Sequence, residues 1–274
     1  MNQIKNIAEM YNSGLSLRKI SRIVGIPRES LRLKLISSGL KLRKSKRYMV
    51  RFLHEPDFRI SPISAELLAL HAGDGCLDRT GEWSFTSNMN DQEHVRNIME
   101  KFQQVVGIIP NQRIRNNKIE MSSKAKQTTE YFSKFFPKGK KSHIVSLPRE
   151  IMNSNDSKII KSALRGLFST DGSFSFNKKR LTPRIEFRVK SKKLRNNFIT
   201  LSRFIGFKFN SNTQKHWKGL IYTAYLERID DVNKWMKNVG SSCDTHVQSY
   251  NRWKYLKFRG GSQDWSKAQG NIKS

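Results

Sequence analysis

The chain has 274 residues, of which 36% are hydrophobic and 10% aromatic, enough to build a core and to argue against a fully disordered protein. Lysine and arginine number 52 against 22 aspartate and glutamate, and the resulting net charge of +30 opposes compaction, which indicates a polyanionic partner. Nucleic acid is the first candidate and an acidic membrane surface the second, but no run of about 18 apolar residues exists that could span a bilayer.

The N-terminal residues and the two cysteines bear on the cellular compartment. The opening residues, MNQIKNIAEMYNSG, lack the apolar core of a secretory signal. Cys76 and Cys243 have no partners at metal-binding spacing, which predicts two reduced thiols and no structural zinc site. We therefore expect an intracellular protein, in the cytoplasm or nucleoid, or in an organelle matrix if the host is a eukaryote.

Three short helical patterns occupy residues 1–45. The first ends at Asn12-Ser13-Gly14, Ser16 caps the second, and Pro27 begins the third, which continues to Ser37. Helix, glycine-containing turn and helix are typical of a helix-turn-helix, whose last helix enters the major groove. We predict that the exposed side chains of this helix contact DNA: Arg28, Glu29, Arg32 and Lys34. The alternative is a three-helix bundle whose basic surface contacts nothing.

Two polar segments flank the rest of the chain. Residues 46–61 are assigned to a basic linker, which overlaps the strongly basic stretch 41–51. This stretch either contacts phosphates between two docked domains or is a solvated tether. Residues 260–274 are polar and are assigned to a disordered tail.

Residues 62–155 and 156–259 repeat one order of elements, helix-strand-strand-helix-strand-strand-helix. Helices are predicted over 64–73, 91–107 and 124–136, and again over 156–170, 192–206, 231–238 and 246–257. A hairpin lies after each of the first two helices of a copy, one of them turning at Asn116-Asn117. The repeat, at about 97 residues, predicts a pseudo-twofold α+β protein in one chain.

The predicted strands have one apolar face and one face of long polar side chains. Any antiparallel sheet with one wet face alternates in this way, but here the polar residues are mostly Arg, Lys, Asn and Gln, which pair with base edges. The candidate DNA contacts in the first copy are Ser84, Thr86, Asn88, Arg113, Arg115 and Lys118. Those in the second copy are Arg184, Glu186, Arg188, Lys190, Lys208, Asn210, Asn212 and Gln214.

Both copies open with a helix that ends in Asp-Gly, at Asp74 and Asp171, which lie 171 − 74 = 97 residues apart. An aspartate at a helix C-terminus is unfavourable by up to about 1 kcal/mol. An aspartate at this position in both copies of a strongly basic chain is therefore unusual. Small residues four apart on each helix would let the two helices approach closely and bring the acids together: Ala69 and Gly73, Gly166 and Thr170. Two adjacent carboxylates favour a divalent cation such as Mg²⁺, which activates water for attack on a phosphodiester.

These features resemble the paired motifs of a single-chain LAGLIDADG homing endonuclease, and the resemblance covers roughly residues 61–259. It implies two packed helices between two DNA-binding saddles, in a monomer that cuts both strands of a long, specific DNA site. Asp74 and Asp171 match the metal-binding acids, and Gly73 and Thr170 match the preceding residues, whose carbonyls complete the coordination of Mg²⁺, Mn²⁺ or Ca²⁺.

The sequence departs from the family pattern in two places. The sixth motif position, often acidic, is Ala72 in one copy and Ser169 in the other. The basic residue near the cleaved phosphates is assigned to Lys141 in the first copy, whereas Thr245 stands at the corresponding place in the second, beside His246. Such an asymmetric pair either nicks one strand faster or works with one basic group.

Two other interpretations stay open. The first is a DNA-binding transcription regulator without cleavage, or an intron-splicing maturase that binds intron RNA on the same scaffold. The second is a membrane-surface protein, which the alternation of basic residues along strands disfavours.

Overall fold

The computed structural model describes residues 2–13, 15–40, 42, 53–139, 141–217 and 219–259. Residues 46–52 of the predicted basic linker and the whole predicted tail, 260–274, lie outside these residues. The chain divides into two compact units, Met1–Met49 and Val50–Ser274. Within the described part, no helix combines the length and the apolar character that crossing a membrane requires.

The first unit contains the three predicted helices, α1 (Asn2–Asn12), α2 (Leu17–Val24) and α3 (Arg28–Ser37). The Ser16 hydroxyl accepts a hydrogen bond from the backbone N–H of Lys19 and caps α2, which ends at Gly25 with a left-handed φ of 67°. The helices bury a core of their own, formed by Ile7, Tyr11, Ile20, Leu31 and Leu35.

The second unit follows the predicted order of elements twice. Its first copy contains α4 (Pro62–Gly73), β1 (Cys76–Leu77), β2 (Trp83–Asn88), α5 (Gln92–Val106), β3 (Asn111–Arg115), β4 (Lys118–Ser123) and α6 (Lys126–Phe135). A short helix, α7 (Arg149–Met152), lies between the copies and was not predicted. The second copy contains α8 (Ser157–Asp171), β5 (Gly172–Phe176), β6 (Pro183–Val189), α9 (Lys192–Phe204), β7 (Asn210–His216), β8 (Gly219–Leu226), α10 (Ile229–Asn238) and α11 (Asp244–Arg259).

Each copy forms one antiparallel four-stranded sheet, with strand orders β1-β2-β4-β3 and β5-β6-β8-β7. The alternation predicted from the sequence sets their faces: Ile185, Phe187 and Val189 of β6 are buried, whereas Glu186 and Arg188 between them are not. The buried faces join one apolar core with the helices. The predicted duplicated α+β architecture is therefore confirmed.

Helices α4 and α8 pack directly against each other through their small residues. A Cβ atom on Gly166 would lie 2.6 Å from the Glu66 carbonyl oxygen and 2.9 Å from Ala69 Cβ, so only glycine fits there. At the other end of the contact, a Cβ on Gly73 would collide with the Thr170 side chain. The predicted close approach of the two helices is confirmed.

Several element bounds differ from the prediction for local reasons. Helix α4 begins at Pro62, two residues early, because Ser61 and Ser64 form a reciprocal capping box. Strand β7 begins at Asn210, so Lys208 lies before the strand, and Lys190 follows the end of β6. Asp91 stands at the N-cap of α5, but its carboxylate does not cap the helix.

Candidate functional site

Asp74 and Asp171 lie at neighbouring ends of α4 and α8. Asp74 is the C-cap residue of α4, and Asp171 is the last residue of α8. A Cβ placed on Gly73 would be 2.8 Å from Asp171 Oδ2, so the carboxyl of one copy rests against the residue that precedes the acid of the other. Both acids line one cavity of about 390 Å³. The helix contact thus joins two carboxyls that are 97 residues apart in the sequence.

The surroundings of both acids disfavour their charged forms. Burial raises the pKa of Asp171 to about 7, and the negative charge of Asp74 contributes to this rise. Asp74 is the more exposed residue, yet the protein atoms around its carboxyl still desolvate it and raise its pKa. The nearby ammonium of Lys141 opposes both shifts. The pair would accept a cation that both carboxylates can share.

Lys141 is buried at the end of α4. Its Nζ donates hydrogen bonds to the carbonyl oxygens of Ala72 (2.6 Å) and Gly73 (3.1 Å), and burial lowers its pKa to about 8. Carbonyls in the last turn of a helix have no partner within the helix, so the ammonium satisfies them and stands beside both acids. The Gly73 carbonyl, predicted as a metal ligand, therefore already accepts one hydrogen bond.

The second copy has serines where the first has Lys141. At the end of α8, the Ser169 hydroxyl oxygen accepts from the Ser242 backbone N–H (2.8 Å) and the Ser242 hydroxyl (3.0 Å). The Ser241 hydroxyl lies 3.2 Å from Ser169 Oγ and 3.0 Å from His246 Nδ1. The two ends of the site therefore differ in charge: one has a buried ammonium and the other a network of neutral hydroxyls.

Thr245 and His246 have separate roles in the first turn of α11. The Thr245 hydroxyl donates to Asp91 Oδ1 (2.8 Å), which ties the start of α11 to the start of α5 in the other copy. The His246 ring packs on Phe168 with ring centroids 5.1 Å apart, and burial lowers its pKa to about 4, so the imidazole is neutral at pH 7.

The donors around the acid pair suit a hard divalent cation. Among the described residues, no three His, Cys, Asp or Glu side chains lie close enough to hold a metal ion together. The Thr170 hydroxyl donates to the Leu167 carbonyl (3.0 Å), so its proton is directed back into α8. Two carboxylates with a few carbonyls fit Mg²⁺, because this ion keeps several waters and is commonly completed by phosphate oxygens.

Two cavities extend from the acid pair, one toward each sheet. The cavity of about 390 Å³ is also lined by Arg188 and Lys190 from the second sheet. A second cavity, of about 370 Å³, joins Asp74 to the polar face of the first sheet, and the predicted DNA contacts that line it are Thr86, Asn88 and Lys118. Five predicted DNA-contacting residues therefore lie next to the predicted metal site.

The other predicted contacts of the first sheet lie farther along its polar face. Arg113 and Thr86 both pair with Glu120 of β4, so the three side chains form one row across the sheet. Ser84 is half-buried, and Arg113 and Arg115 are exposed.

The polar face of the second sheet is organised by Glu186. Its carboxylate accepts from Arg184 Nε (2.7 Å) and forms an ion pair with Arg188 (3.1 Å), whose guanidinium also reaches Gln214 (3.4 Å). Asn210 and Asn212 are exposed on β7, and Lys208 is exposed before it. Glu186 therefore orients two arginines, a role that the sequence did not reveal.

The four predicted contacts of the first unit lie on α3. Arg28, Glu29 and Lys34 are exposed, whereas the half-buried Arg32 forms an ion pair with Glu29 at 2.6 Å. Their contact with DNA stays a prediction.

The sequence did not single out several residues around the site. Ser142 and His216 line the first cavity, and Asp91 and His94 line the second. The only sequence signal was at Asp91, an acid in a chain that has few. Ser142 lies in the loop between α6 and α7, and His216 ends β7 next to a turn, where no periodic pattern indicates what a side chain faces. His94 lies in α5, where the period predicts burial but not the cavity that the side chain faces.

No protein-family model and no curated protein matches the sequence. Among solved structures, the homing endonuclease I-DmoI in complex with DNA and Ca is similar, with a TM-score of 0.50 and 16% identity over 70% of this chain and 98% of that one. I-DmoI in complex with DNA and Mn has a TM-score of 0.48 and 17% identity over 66% and 98%. The N-terminal LAGLIDADG domain of DUF199/WhiA has a TM-score of 0.43 and 15% identity over 70% and 96%.

The chain contains the LAGLIDADG fold. In this fold α4 and α8 are the two motif helices, and the duplicated sheets lie on either side of them. The fold predicted from the paired Asp-Gly helix ends is therefore confirmed, whereas the helix-turn-helix of the first unit stays a prediction.

Proposed function

We propose that this protein is a site-specific endonuclease that hydrolyses both strands of double-stranded DNA with Mg²⁺ or a similar divalent cation. The observation that carries the proposal is the meeting of Asp74 and Asp171 at the ends of two packed helices, with cavities leading to two polar sheet faces. We further propose that it acts inside the cell as a monomer, because one chain supplies both acids.

Double-stranded DNA is the proposed substrate because charge and shape both suit it. The net charge of +30 would be neutralised by phosphates, with release of counterions. Arginine, lysine and amide side chains on flat, exposed strands can reach base edges in the major groove and distinguish base pairs. I-DmoI, which shares the fold, has been crystallised in complex with DNA and Ca.

Asp74 and Asp171 would hold the cation together with the carbonyls of Gly73 and Thr170. When bound, the cation supplies activation of water for in-line attack and neutralises charge on the phosphate. The chain itself holds two carboxylates close together, and their mutual repulsion would decrease when they share a cation. Lys141 adds a positive charge fixed by two backbone carbonyls, so it can stabilise charge that develops on the phosphate without reorganising.

The two strands would be cut at unequal rates. The end of α4 has the Lys141 ammonium, whereas the end of α8 has only the hydroxyls of Ser169, Ser241 and Ser242. We therefore propose that nicked DNA accumulates before the second strand is cut.

The test uses supercoiled plasmids that contain the DNA flanking this gene. With Mg²⁺, the protein is expected to convert them first to nicked and then to linear DNA, whereas Asp74→Asn and Asp171→Asn should abolish cleavage and retain binding in a gel-shift assay. Asp230→Asn, an exposed acid on α10, is the matched control and should cut normally. Double-strand cleavage by either motif variant would contradict the proposal.

A second candidate is a DNA-binding regulator, or an RNA-binding maturase, that has lost cleavage. The neutral serine network at the end of α8 favours it, because among the described residues no fixed cation takes the place of Lys141 in that half of the site. A discrete footprint with no cut in the same plasmids would support the regulator, and selective binding of intron RNA would support the maturase.

A further inference from the structure

The turn between β7 and β8 approaches the acid pair. Strand β5 leaves the site at Gly172, which pairs with Phe187, and Val189 further along β6 pairs with Tyr222. Strand β8 extends beyond this point toward Gly219, so its turn with β7 lies at the end of the sheet nearest the acids. Consistent with this, His216 lines the same cavity as Asp74 and Asp171.

This turn presents a tryptophan to solvent. Trp217 is 81% exposed, the largest exposed fraction among the exposed large hydrophobic side chains of the described residues. The other described tryptophans, Trp83, Trp235 and Trp253, are at most 1% exposed. Leu220, across the same turn, is 47% exposed. Trp217 is therefore the one described tryptophan whose indole is available to a partner.

The turn that presents Trp217 differs from its counterpart in the other copy. There, Arg115 pairs with Lys118, and the two residues between them are Asn116 and Asn117, both with left-handed φ. Asparagine suits such a two-residue turn. The pairing of His216 with Gly219 puts Trp217 at the position of Asn116, but here the positive φ (112°) is at Gly219. The conformation of this turn therefore does not require an aromatic side chain at Trp217.

We propose that Trp217 packs against the DNA duplex beside the phosphates nearest the acid pair. The inference rests on the proposed function, because it requires a duplex along the polar faces of the two sheets. Arg188 and Lys190 lie near the same cavity and would neutralise the adjacent phosphates, leaving the indole to contact sugar edges or an opened base step. Because the other copy has Asn116 instead, this contact would be made on one side of the cleavage centre only.

The first test measures the accessibility of the indole. A Trp265→Phe background removes the tryptophan outside the described residues, so acrylamide quenching then reports mainly on Trp217. Addition of a mixed-sequence duplex of about 40 base pairs, at low salt with a chelator to prevent cleavage, is expected to reduce quenching several-fold. The overturning result is a duplex that binds by fluorescence anisotropy while quenching stays unchanged. If the duplex does not bind at all, the proposed function itself fails.

The second test measures affinity for the same duplex with intact buried tryptophans. Trp217→Ala should weaken binding about tenfold, as expected when one stacked or packed aromatic is removed, whereas Trp217→Phe should retain most of it. Phe204→Ala is the matched control, because it removes an exposed aromatic (54%) at the end of α9 and should bind normally. Equal affinity of Trp217→Ala and wild type would overturn the proposal.

Discussion

The folded protein destabilises the charged form of Asp171. Its carboxyl is desolvated, lies near Asp74 and ends a helix, and all three features oppose its negative charge. Lys141 compensates only in part, because its ammonium is desolvated as well. In physical terms, a bound cation would remove a repulsion that the fold alone leaves in place.

We predict that the stability of the metal-free protein falls as pH rises through this titration. The folded pKa of Asp171, about 7, is above the ordinary aspartate value of 3.8, so the folded state holds a proton that the unfolded state has lost. The free energy of unfolding should therefore decrease between about pH 4 and pH 7. Thermal unfolding in a chelator measures this change. The stability of Asp171→Asn relative to wild type should be higher at pH 8 than at pH 5.

The control for this prediction is Asp230→Asn, whose thermal stability should change with pH as that of wild type does. Mg²⁺ at pH 8 should raise the melting temperature of wild type more than that of Asp171→Asn. A constant difference between wild type and Asp171→Asn from pH 5 to pH 8 would mean that this carboxyl does not titrate as described.

At the scale of elements, the contact between α4 and α8 determines whether the acids meet. Gly166 and Gly73 bring the helix backbones together, and the buried Glu66 lies within 3.5 Å of both Lys101 and Arg165 beside the contact. Close packing at the glycines and the ion pairs of Glu66 therefore both hold the two helices in place. A displacement of either helix would change the separation of Asp74 and Asp171.

We predict that Gly166→Val destabilises the protein by about 1–3 kcal/mol, because the added side chain must displace the α4 backbone. Chemical denaturation measures this change, and cleavage should fall with it as the acids separate. Lys158→Val, at an exposed site on the same helix, measures the cost of a valine away from the helix contact and should cost less than about 1 kcal/mol. Equal destabilisation in the two variants would show that the helix contact tolerates a side chain.

At the scale of the whole molecule, this basic chain consists of two units, each with its own hydrophobic core. The first unit buries Ile7, Tyr11, Ile20, Leu31 and Leu35, and none of these residues belongs to the core of the second unit. The second unit can therefore be expected to fold without the first. This separation allows the contribution of the front helices to binding to be measured directly.

We predict that deletion of residues 1–45 weakens DNA binding and flattens its dependence on salt. For every phosphate that the truncated protein no longer neutralises, the slope of log K against log salt should become shallower by about 0.9. Fluorescence anisotropy across a salt series gives the slope, and an unchanged thermal unfolding of the second unit is the control. Equal affinity of the truncated and full-length proteins at every salt concentration would mean that the first unit does not touch DNA.

The sequence by itself determined the repeat, the order of helices and strands, and the positions of the two acids. These features depend on interactions between near neighbours: periodic apolar residues, glycine and proline at boundaries, and the small residues that face each other on α4 and α8. The polar faces of β2 and β6 followed from strict alternation, which any folded antiparallel sheet must obey.

Only the tertiary structure decided the surroundings of the acids. Lys141 reaches two carbonyls nearly 70 residues away, Ser242 meets Ser169, and Thr245 binds Asp91 in the other copy. Loops bring these groups together, and loops have no period from which the direction of a side chain can be inferred. The pKa values likewise depend on burial and on charges distant in sequence, so they became defined only when the two copies packed against each other.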